Sequence, residues 1–269
     1  MRILIAAALA AVFTAASADA ATVLVTGSNR GIGYEFAKQY AEKGHTVIAT
    51  ARNPDGAKEL KALAAKHKNI TIEKLDIVSE SDLKALTAKY KGKPIDILIN
   101  NAAIVGDIAG QTLGTYTRRD FDEVMGVNLW GAIAVTQGFL DNVAASKEKK
   151  VVVLSSGIVI MRPGPAQAAF RDEKTGYFNL TWYRSAKIAL NFTFKGIAED
   201  LKSKGVLIGV IAPGAVNTEM ARGVFDEAAL KNFVPASTSA AGIIKVIDGL
   251  NAENSGKAFD WDGKALTPY

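Results

Sequence analysis

Short apolar runs alternate with longer amphipathic segments along most of the chain. Six runs have the composition of buried strands: 22–26, 46–50, 70–74, 95–99, 151–155 and 206–211. Five segments between them have the helical spacing of apolar residues: 34–43, 57–67, 81–90, 120–145 and 181–202. Because strands that are apolar throughout are buried on both faces, this order predicts one α/β domain with a doubly wound parallel sheet and helices on both faces.

One helix start can be predicted from local residues. Ser79 precedes Asp82 by three positions, which is the spacing of a capping box with Asp in place of Glu. This pair predicts that the third helix begins directly after Ser79.

The N-terminus has the pattern of a secretory signal peptide. Arg2 precedes a 14-residue apolar segment, and small residues spaced A-x-A lead up to Ala21. A membrane-spanning helix takes about 20 apolar residues, so this segment is short for one. The pattern predicts a signal peptide at 1–20, a domain at 21–269, export to the periplasm and no membrane span after cleavage. A cytoplasmic protein with an uncleaved N-terminus is the alternative.

Composition argues against several kinds of site. The chain has no cysteine and two histidines, His45 and His67, so we expect no disulfide, no thiolate chemistry and no metal site. Its 32 basic residues are scattered among 27 acidic ones, without interleaved aromatic residues. We therefore expect no nucleic-acid partner, although the net charge is +5.

The first strand runs directly into a glycine-rich turn, TGSNRGIG (26–33), and a helix follows. Glycines permit a tight turn and let the backbone approach a pyrophosphate, while the helix N-terminus supplies unpaired N–H groups. This arrangement predicts a dinucleotide site in a Rossmann fold. The predicted contacts in the turn are Gly27, Ser28, Asn29, Arg30, Gly31, Ile32 and Gly33.

The end of the second strand indicates which dinucleotide binds. Proteins that bind NAD place an acid there, which accepts a hydrogen bond from the ribose 2′-hydroxyl. This chain has Ala51 and Arg52, with no acid before Asp55. Arg52, together with Arg30, would pair with a 2′-phosphate. The sequence therefore predicts NADP(H).

Tyr183 and Lys187 are four residues apart in a predicted helix, so they share one face. A free tyrosine has a pKa near 10 and is a poor acid or base at neutral pH. A nearby ammonium, with the positive nicotinamide of the oxidised cofactor, would stabilise the phenolate and lower that pKa. The pair is a candidate for proton transfer.

Together these features resemble the short-chain dehydrogenase/reductase superfamily over about residues 21–269. The matching segments are TGSNRGIG (26–33), LD (75–76), NNAA (100–103), GVNLWG (126–131), VVVLSSG (151–157), YRSAK (183–187), PGAVNT (213–218) and DWDGK (260–264). The variants NRGIG, ATARNP and YRSAKIALN are most similar to its carbonyl-reductase and C-factor-like branch, which favours NADPH.

The resemblance implies catalytic roles for four residues. Tyr183 would be the general acid/base, which protonates a carbonyl oxygen as hydride arrives from the nicotinamide. Lys187 would hold the nicotinamide ribose and lower the tyrosine pKa. Ser156 would position the substrate oxygen, although Ser155 is not separated from it by sequence. Asn128 would anchor a water that relays protons to Lys187, or it would be a buried asparagine at a helix kink.

The resemblance also implies cofactor contacts beyond the glycine-rich turn. Asp76 would reach the adenine, Asn100 and Ala102 would line the ribose, and Thr218 would touch the carboxamide or phosphates. Tyr183 and Lys187 belong to this set as well. Its further members are Ile77, Pro213, Gly214 and Val216.

The implied function is NADPH-dependent reduction of a small aldehyde or ketone. The same site would serve an NADP-dependent alcohol dehydrogenase that works oxidatively. A C-factor-like signalling protein that binds the nucleotide without turnover is a further alternative, against which the complete catalytic set argues. The partner is then a small carbonyl or alcohol, and a homodimer is left open.

One segment departs from the family pattern. Ser156 and Tyr183 are 27 positions apart, which is about twice the usual family spacing. We expect the inserted loop, about residues 158–182, to cover the active site and to shape the substrate pocket.

Overall fold

The computed structural model describes residues 20–159 and 179–266. The predicted signal peptide, apart from Ala20, lies outside these ranges. Residues 160–178 of the predicted inserted loop lie outside them too. Within the described ranges, no helix is long and apolar enough to cross a membrane.

The described residues form ten strands and nine α-helices. The strands are β1 Thr22–Val25, β2 Thr46–Ala51, β3 Ile70–Lys74, β4 Ile97–Asn100, β5 Lys150–Leu154, β6 Leu207–Ala212, β7 Val216–Asn217, β8 Val234–Pro235, β9 Ala258–Asp260 and β10 Ala265–Leu266. The helices are α1 Gly31–Glu42, α2 Lys58–Lys66, α3 Glu80–Lys89, α4 Arg118–Met125, α5 Ala132–Ala144, α6 Thr181–Leu201, α7 Glu219–Arg222, α8 Glu227–Leu230 and α9 Ala236–Asp248.

Eight strands form the central sheet, in the order β10-β9-β6-β5-β4-β1-β2-β3. All neighbours pair in parallel except β9 and β10, which are antiparallel. The order 3-2-1-4-5-6 is that of the doubly wound dinucleotide-binding fold, so the predicted fold is confirmed. The chain reverses direction across the sheet between β1 and β4, and ligands bind at the carboxyl ends of the strands at such a point.

Both faces of the sheet are covered by apolar clusters. Phe36 and Tyr40 of α1 pack with Ile243 of α9 on one face. Phe139 of α5 and Phe194 of α6 pack on the other. Burial on both faces explains why the strands are apolar throughout.

The observed elements differ from the predicted ones in four ways. Several strands shift by one or two residues, and the inserted loop is shorter at its end, because α6 begins at Thr181. The long helix predicted at 120–145 is interrupted by a π-helical segment, Gly126–Gly131. Helix α9 was not predicted.

The predicted start of α3 is confirmed. Ser79 is the N-cap, and its hydroxyl accepts a hydrogen bond from the Asp82 N–H at 3.2 Å. The Asp82 carboxylate accepts from the Asp76 N–H at 3.1 Å, which ties the end of β3 to this helix.

Candidate active site

The glycine-rich turn between β1 and α1 is packed against the segment that follows β4. Gly27 and Gly31 have φ values of +67° and +59°, which favour glycine. A Cβ on Gly33 would lie 2.5 Å from Nδ2 of Asn101 and closer still to the Gly27 carbonyl oxygen. These positions therefore require glycine for backbone conformation or for space.

Two polar side chains hydrogen-bond this turn to the segment that follows β4. The Asn101 amide donates to the carbonyls of Thr26 and Gly27 at 2.8 and 3.1 Å. The Thr26 hydroxyl accepts from the N–H groups of Asn101 and Ala102, both at 3.0 Å. Thr26 lies in the TGSNRGIG motif and Asn101 in the NNAA motif, but neither was predicted as a site residue.

The N-terminus of α1 faces the same region. Its N-cap, Arg30, makes no side-chain cap hydrogen bond, and the first turn holds no acidic residue. The first N–H groups of a helix have no partner inside the helix, and they attract anions together with the helix dipole. This end of α1 is suited to a phosphate group.

A cavity of about 460 Å³ opens beside the turn, at the carboxyl ends of β1, β2 and β4. Thirteen of the predicted site residues line it: Gly27, Asn29, Arg30, Gly31, Ile32, Arg52, Asp76, Ile77, Ala102, Tyr183, Lys187, Pro213 and Thr218. The structure thus brings together residues from distant parts of the chain in the way that the predicted site requires.

Other predicted cofactor contacts do not line this cavity. Ser28 is fully buried, and its hydroxyl donates to the Val25 carbonyl at 2.9 Å. Asn100 is buried, and its amide donates to Thr136 at 3.0 Å. The remaining three pack behind the wall: Gly33 against the turn, Gly214 against Trp261, and Val216 within β7.

Tyr183 and Lys187 lie on one face of α6, as predicted. The Lys187 ammonium lies 5.8 Å from the centre of the Tyr183 ring and donates to the Leu154 carbonyl at 2.7 Å. Lys187 is 3% exposed, and this burial lowers its pKa to about 8. Burial raises the pKa of the Tyr183 phenol above its ordinary value, and the Ser156 side chain offsets only part of this rise. The lowering of this pKa that was expected from Lys187 is not found without the cofactor.

The two serines after β5 have different surroundings. Ser155 is buried, and its hydroxyl donates to Oδ1 of Asn191. The Ser156 hydroxyl oxygen accepts from the Ile158 N–H at 3.3 Å, and the Ser156 side chain lowers the pKa of the Tyr183 phenol. Ser155 lines the cavity and Ser156 does not, so the assignment of Ser156 as the serine that positions the substrate stays a prediction.

Asn128 lies in the π-helical segment and is buried. Its amide pairs with both backbone groups of Ile104: it accepts from the N–H at 2.9 Å and donates to the carbonyl at 2.8 Å. The Asn128 side chain thereby holds a residue that lines the cavity. The predicted water relay to Lys187 stays a prediction.

The two arginines predicted to bind a 2′-phosphate both line the cavity. Arg30 forms an ion pair with Glu219 of α7, with Nη1 and Oε1 2.6 Å apart. Arg52 is exposed and has no hydrogen bond or ion pair within residues 20–159 and 179–266. Its guanidinium is available to an incoming anion.

Comparisons with known proteins point to one family. The sequence profile of the short chain dehydrogenase family matches residues 21–229. An uncharacterized oxidoreductase of Schizosaccharomyces pombe is 33% identical over 259 residues, which cover 91% of this chain and 96% of that protein. An NADPH-dependent pterin aldehyde reductase of Arabidopsis thaliana is 26% identical over 88% of this chain and 92% of its own length.

Solved structures show the same similarity. An NADPH-bound carbonyl reductase from chicken fatty liver superimposes with a TM-score of 0.78 at 28% identity, over 92% of this chain and 98% of that one. A short-chain dehydrogenase/reductase from Burkholderia multivorans with bound NADP gives 0.76 at 26% identity, over 92% of this chain and 99% of that one.

Proposed function

Because the chain belongs to the short-chain dehydrogenase family, we propose that it is an NADPH-dependent reductase of a small aldehyde or ketone, with Tyr183 as the general acid. The buried Lys187 ammonium, 5.8 Å from the centre of the Tyr183 ring on the same face of α6, is the observation that carries this proposal. A protein that only binds a nucleotide has no need to bury an ammonium next to a phenol.

The cavity fits NADP(H). The glycines of the turn leave room for a pyrophosphate at the uncapped N-terminus of α1. The exposed Arg52 at the cavity wall is suited to pair with a 2′-phosphate, and the relatives named for NADPH or NADP support the same choice. When bound, the cofactor supplies the hydride.

The protein's own residues then handle the proton. The Ser156 hydroxyl donates a hydrogen bond to the substrate carbonyl oxygen and orients it. Tyr183 transfers its phenolic proton to that oxygen. The carbonyl carbon thus gains the hydride, and the carbonyl oxygen gains the proton. The Lys187 ammonium stabilises the phenolate that is left, and solvent restores its proton.

A screen of aldehydes, ketones and quinones for NADPH oxidation tests this proposal, with the alcohol product identified. A parallel series with NADH tests the role of Arg52. We expect Arg52→Ser to weaken NADPH binding by about 10- to 100-fold, because a charge-assisted hydrogen bond contributes about 1.5–3 kcal/mol. NADH binding should change little. Equal rates with both cofactors in the wild-type enzyme would contradict the 2′-phosphate pairing.

We propose further that the mature protein begins near Ala21 and is exported. Ala20 is exposed, whereas the Ala21 N–H donates to Nδ1 of His45 at 3.0 Å and the Thr46 N–H donates to the Ala21 carbonyl at 2.9 Å. Loss of residues 1–20 therefore removes none of these contacts. Mass spectrometry of the native protein tests this: a first residue of Asp19 or Ala21 supports export, and retained Met1 contradicts it.

A further inference from the structure

Helix α6 carries Tyr183 in its first turn and lacks a local cap. Its N-cap is Leu180, whose apolar side chain makes no cap hydrogen bond and whose φ is +57°. The first N–H groups of a helix find no partner inside it. Tyr183 is the third residue of α6, and the N–H at that position is one that a Ser, Thr, Asp or Asn N-cap commonly satisfies.

Gln111 satisfies this N–H from a distant part of the chain. Its Oε1 accepts from the Tyr183 N–H at 3.0 Å, across 72 positions of sequence. Its Nε2 donates to the carbonyls of Val105 and Asp107 at 2.7 and 3.1 Å. The residue has no solvent exposure, and both amide protons and the amide oxygen are engaged.

The two carbonyls belong to the segment that follows β4, which also forms part of the cavity wall. Ala102, Ala103 and Ile104 of this segment line the cavity. Gly106 turns the segment with a φ of +79°, and a Cβ there would collide with Cγ2 of Val124. One buried amide thus connects the cofactor-facing wall to the backbone of the tyrosine.

We propose that Gln111 is a positioning residue, which holds the Tyr183 phenol in register with Ser156 and with the cofactor-facing wall. This inference rests on the proposed function. Without the amide, no side chain within residues 20–159 and 179–266 caps the Tyr183 N–H in the first turn of α6. The phenol then moves away from the Ser156 side chain, which lowers the phenol pKa.

The test compares Gln111→Met, which keeps the side-chain length, with the control Asn142→Leu. Asn142 is a buried residue of α5 whose amide donates to the carbonyls of Tyr90 and Lys93 at 2.6 and 2.8 Å. Both replacements remove two hydrogen bonds from a buried amide to backbone carbonyls. Asn142, Tyr90 and Lys93 do not line the cavity. The control therefore loses stability from a broken buried amide without a displacement of Tyr183.

We expect both variants to lose thermal stability and only Gln111→Met to lose turnover. Its kcat should fall by about 10- to 100-fold, because a small misplacement of a reacting group costs up to about 100-fold. Its KM for NADPH should stay within about twofold. The pH profile of alcohol oxidation, which needs the phenolate, should shift to higher pH. The Asn142→Leu variant should keep the wild-type kcat and pH profile.

Two outcomes distinguish a failure of the proposed function from a failure of the positioning role of Gln111. If turnover of the wild-type enzyme does not depend on Tyr183, the proposed function fails. If turnover depends on Tyr183 but Gln111→Met keeps the wild-type kcat and pH profile, the positioning role alone is refuted.

Hydrogen exchange of the Tyr183 amide keeps the inference testable if Gln111→Met does not fold. The amide should be protected in the wild-type enzyme and in Asn142→Leu, because its N–H is bonded to a fully buried acceptor. If Gln111→Met folds, exchange should be at least about 10-fold faster there, which corresponds to the loss of one such hydrogen bond. Exchange of the wild-type amide at the rate of an unstructured peptide would overturn the inference.

Discussion

Replacing Gly33 by alanine tests how tightly the glycine-rich turn is packed. Gly33 is in the first turn of α1, and the new Cβ would lie 2.5 Å from Nδ2 of Asn101. Ordinary contact begins near 3.4 Å, so the amide must move by about 0.9 Å. The Gly27 carbonyl oxygen lies closer still to the new atom and must move as well.

This displacement breaks identifiable bonds. The Asn101 amide donates to the carbonyls of Thr26 and Gly27 at 2.8 and 3.1 Å, and both bonds lengthen beyond hydrogen-bonding distance when the amide moves away. Each is worth about 1 kcal/mol, and overpacking a rigid site costs about 1–3 kcal/mol. The preference of a helix for Ala over Gly returns about 0.5–1 kcal/mol. The free energy of unfolding should fall by about 2–4 kcal/mol.

Thermal unfolding and NADPH titration of the same preparations measure the effect. A domain of this size loses about 2–4 °C per kcal/mol, so Tm should fall by about 5–15 °C, and NADPH affinity should fall with it. The matched control is Gly196→Ala in the interior of α6, where a Cβ meets nothing within 4 Å. The control should keep or slightly raise Tm. A Gly33→Ala variant with the Tm and NADPH affinity of the control would refute the packing argument.

Two further predictions concern charged residues at the site. The pKa of Lys187 is about 8 when folded and 10.5 when unfolded, so the unfolded chain binds more protons between these pH values. Without cofactor, the wild type should therefore gain up to about 3 kcal/mol of stability relative to Lys187→Met as the pH rises through this window. Urea unfolding of both proteins near pH 7 and pH 10 measures the difference, and a pH-independent difference would contradict the buried ammonium. Glu219→Gln should change the unfolding free energy by less than about 1 kcal/mol, because the Arg30–Glu219 pair is more than half exposed. It should also tighten NADPH binding severalfold by releasing Arg30, and unchanged or weaker binding in a fluorescence titration would contradict this role of Arg30.

The sequence predicted the sheet and the glycine-rich turn because both depend on local patterns. Apolar strands and a glycine-rich turn before a helix are visible within short windows. The antiparallel β10 was missed because it has two residues and pairs only with β9. The π-helical segment at Gly126–Gly131 was missed because its apolar spacing continues that of the helices on both sides.

Parts of the candidate site could be identified only from the folded structure. Sequence could not separate Ser155 from Ser156, because they are adjacent and identical, and only the folded backbone places Ser155 against Asn191 and on the cavity wall. Gln111 gave no signal, since its contacts are with backbone groups and one lies 72 positions away. A side chain that satisfies a distant backbone group leaves no periodicity and no motif to read.

The most direct test of the proposed function is the Tyr183→Phe variant, with NADPH affinity and turnover measured on the same protein. We predict that the dissociation constant for NADPH stays within about threefold, because the variant removes one hydroxyl from a large binding site. Turnover of the carbonyl substrate should fall by about 100- to 10,000-fold, which is the usual contribution of a general acid. Turnover within a few fold of the wild type would contradict the assignment of Tyr183 and the reaction proposed for this site.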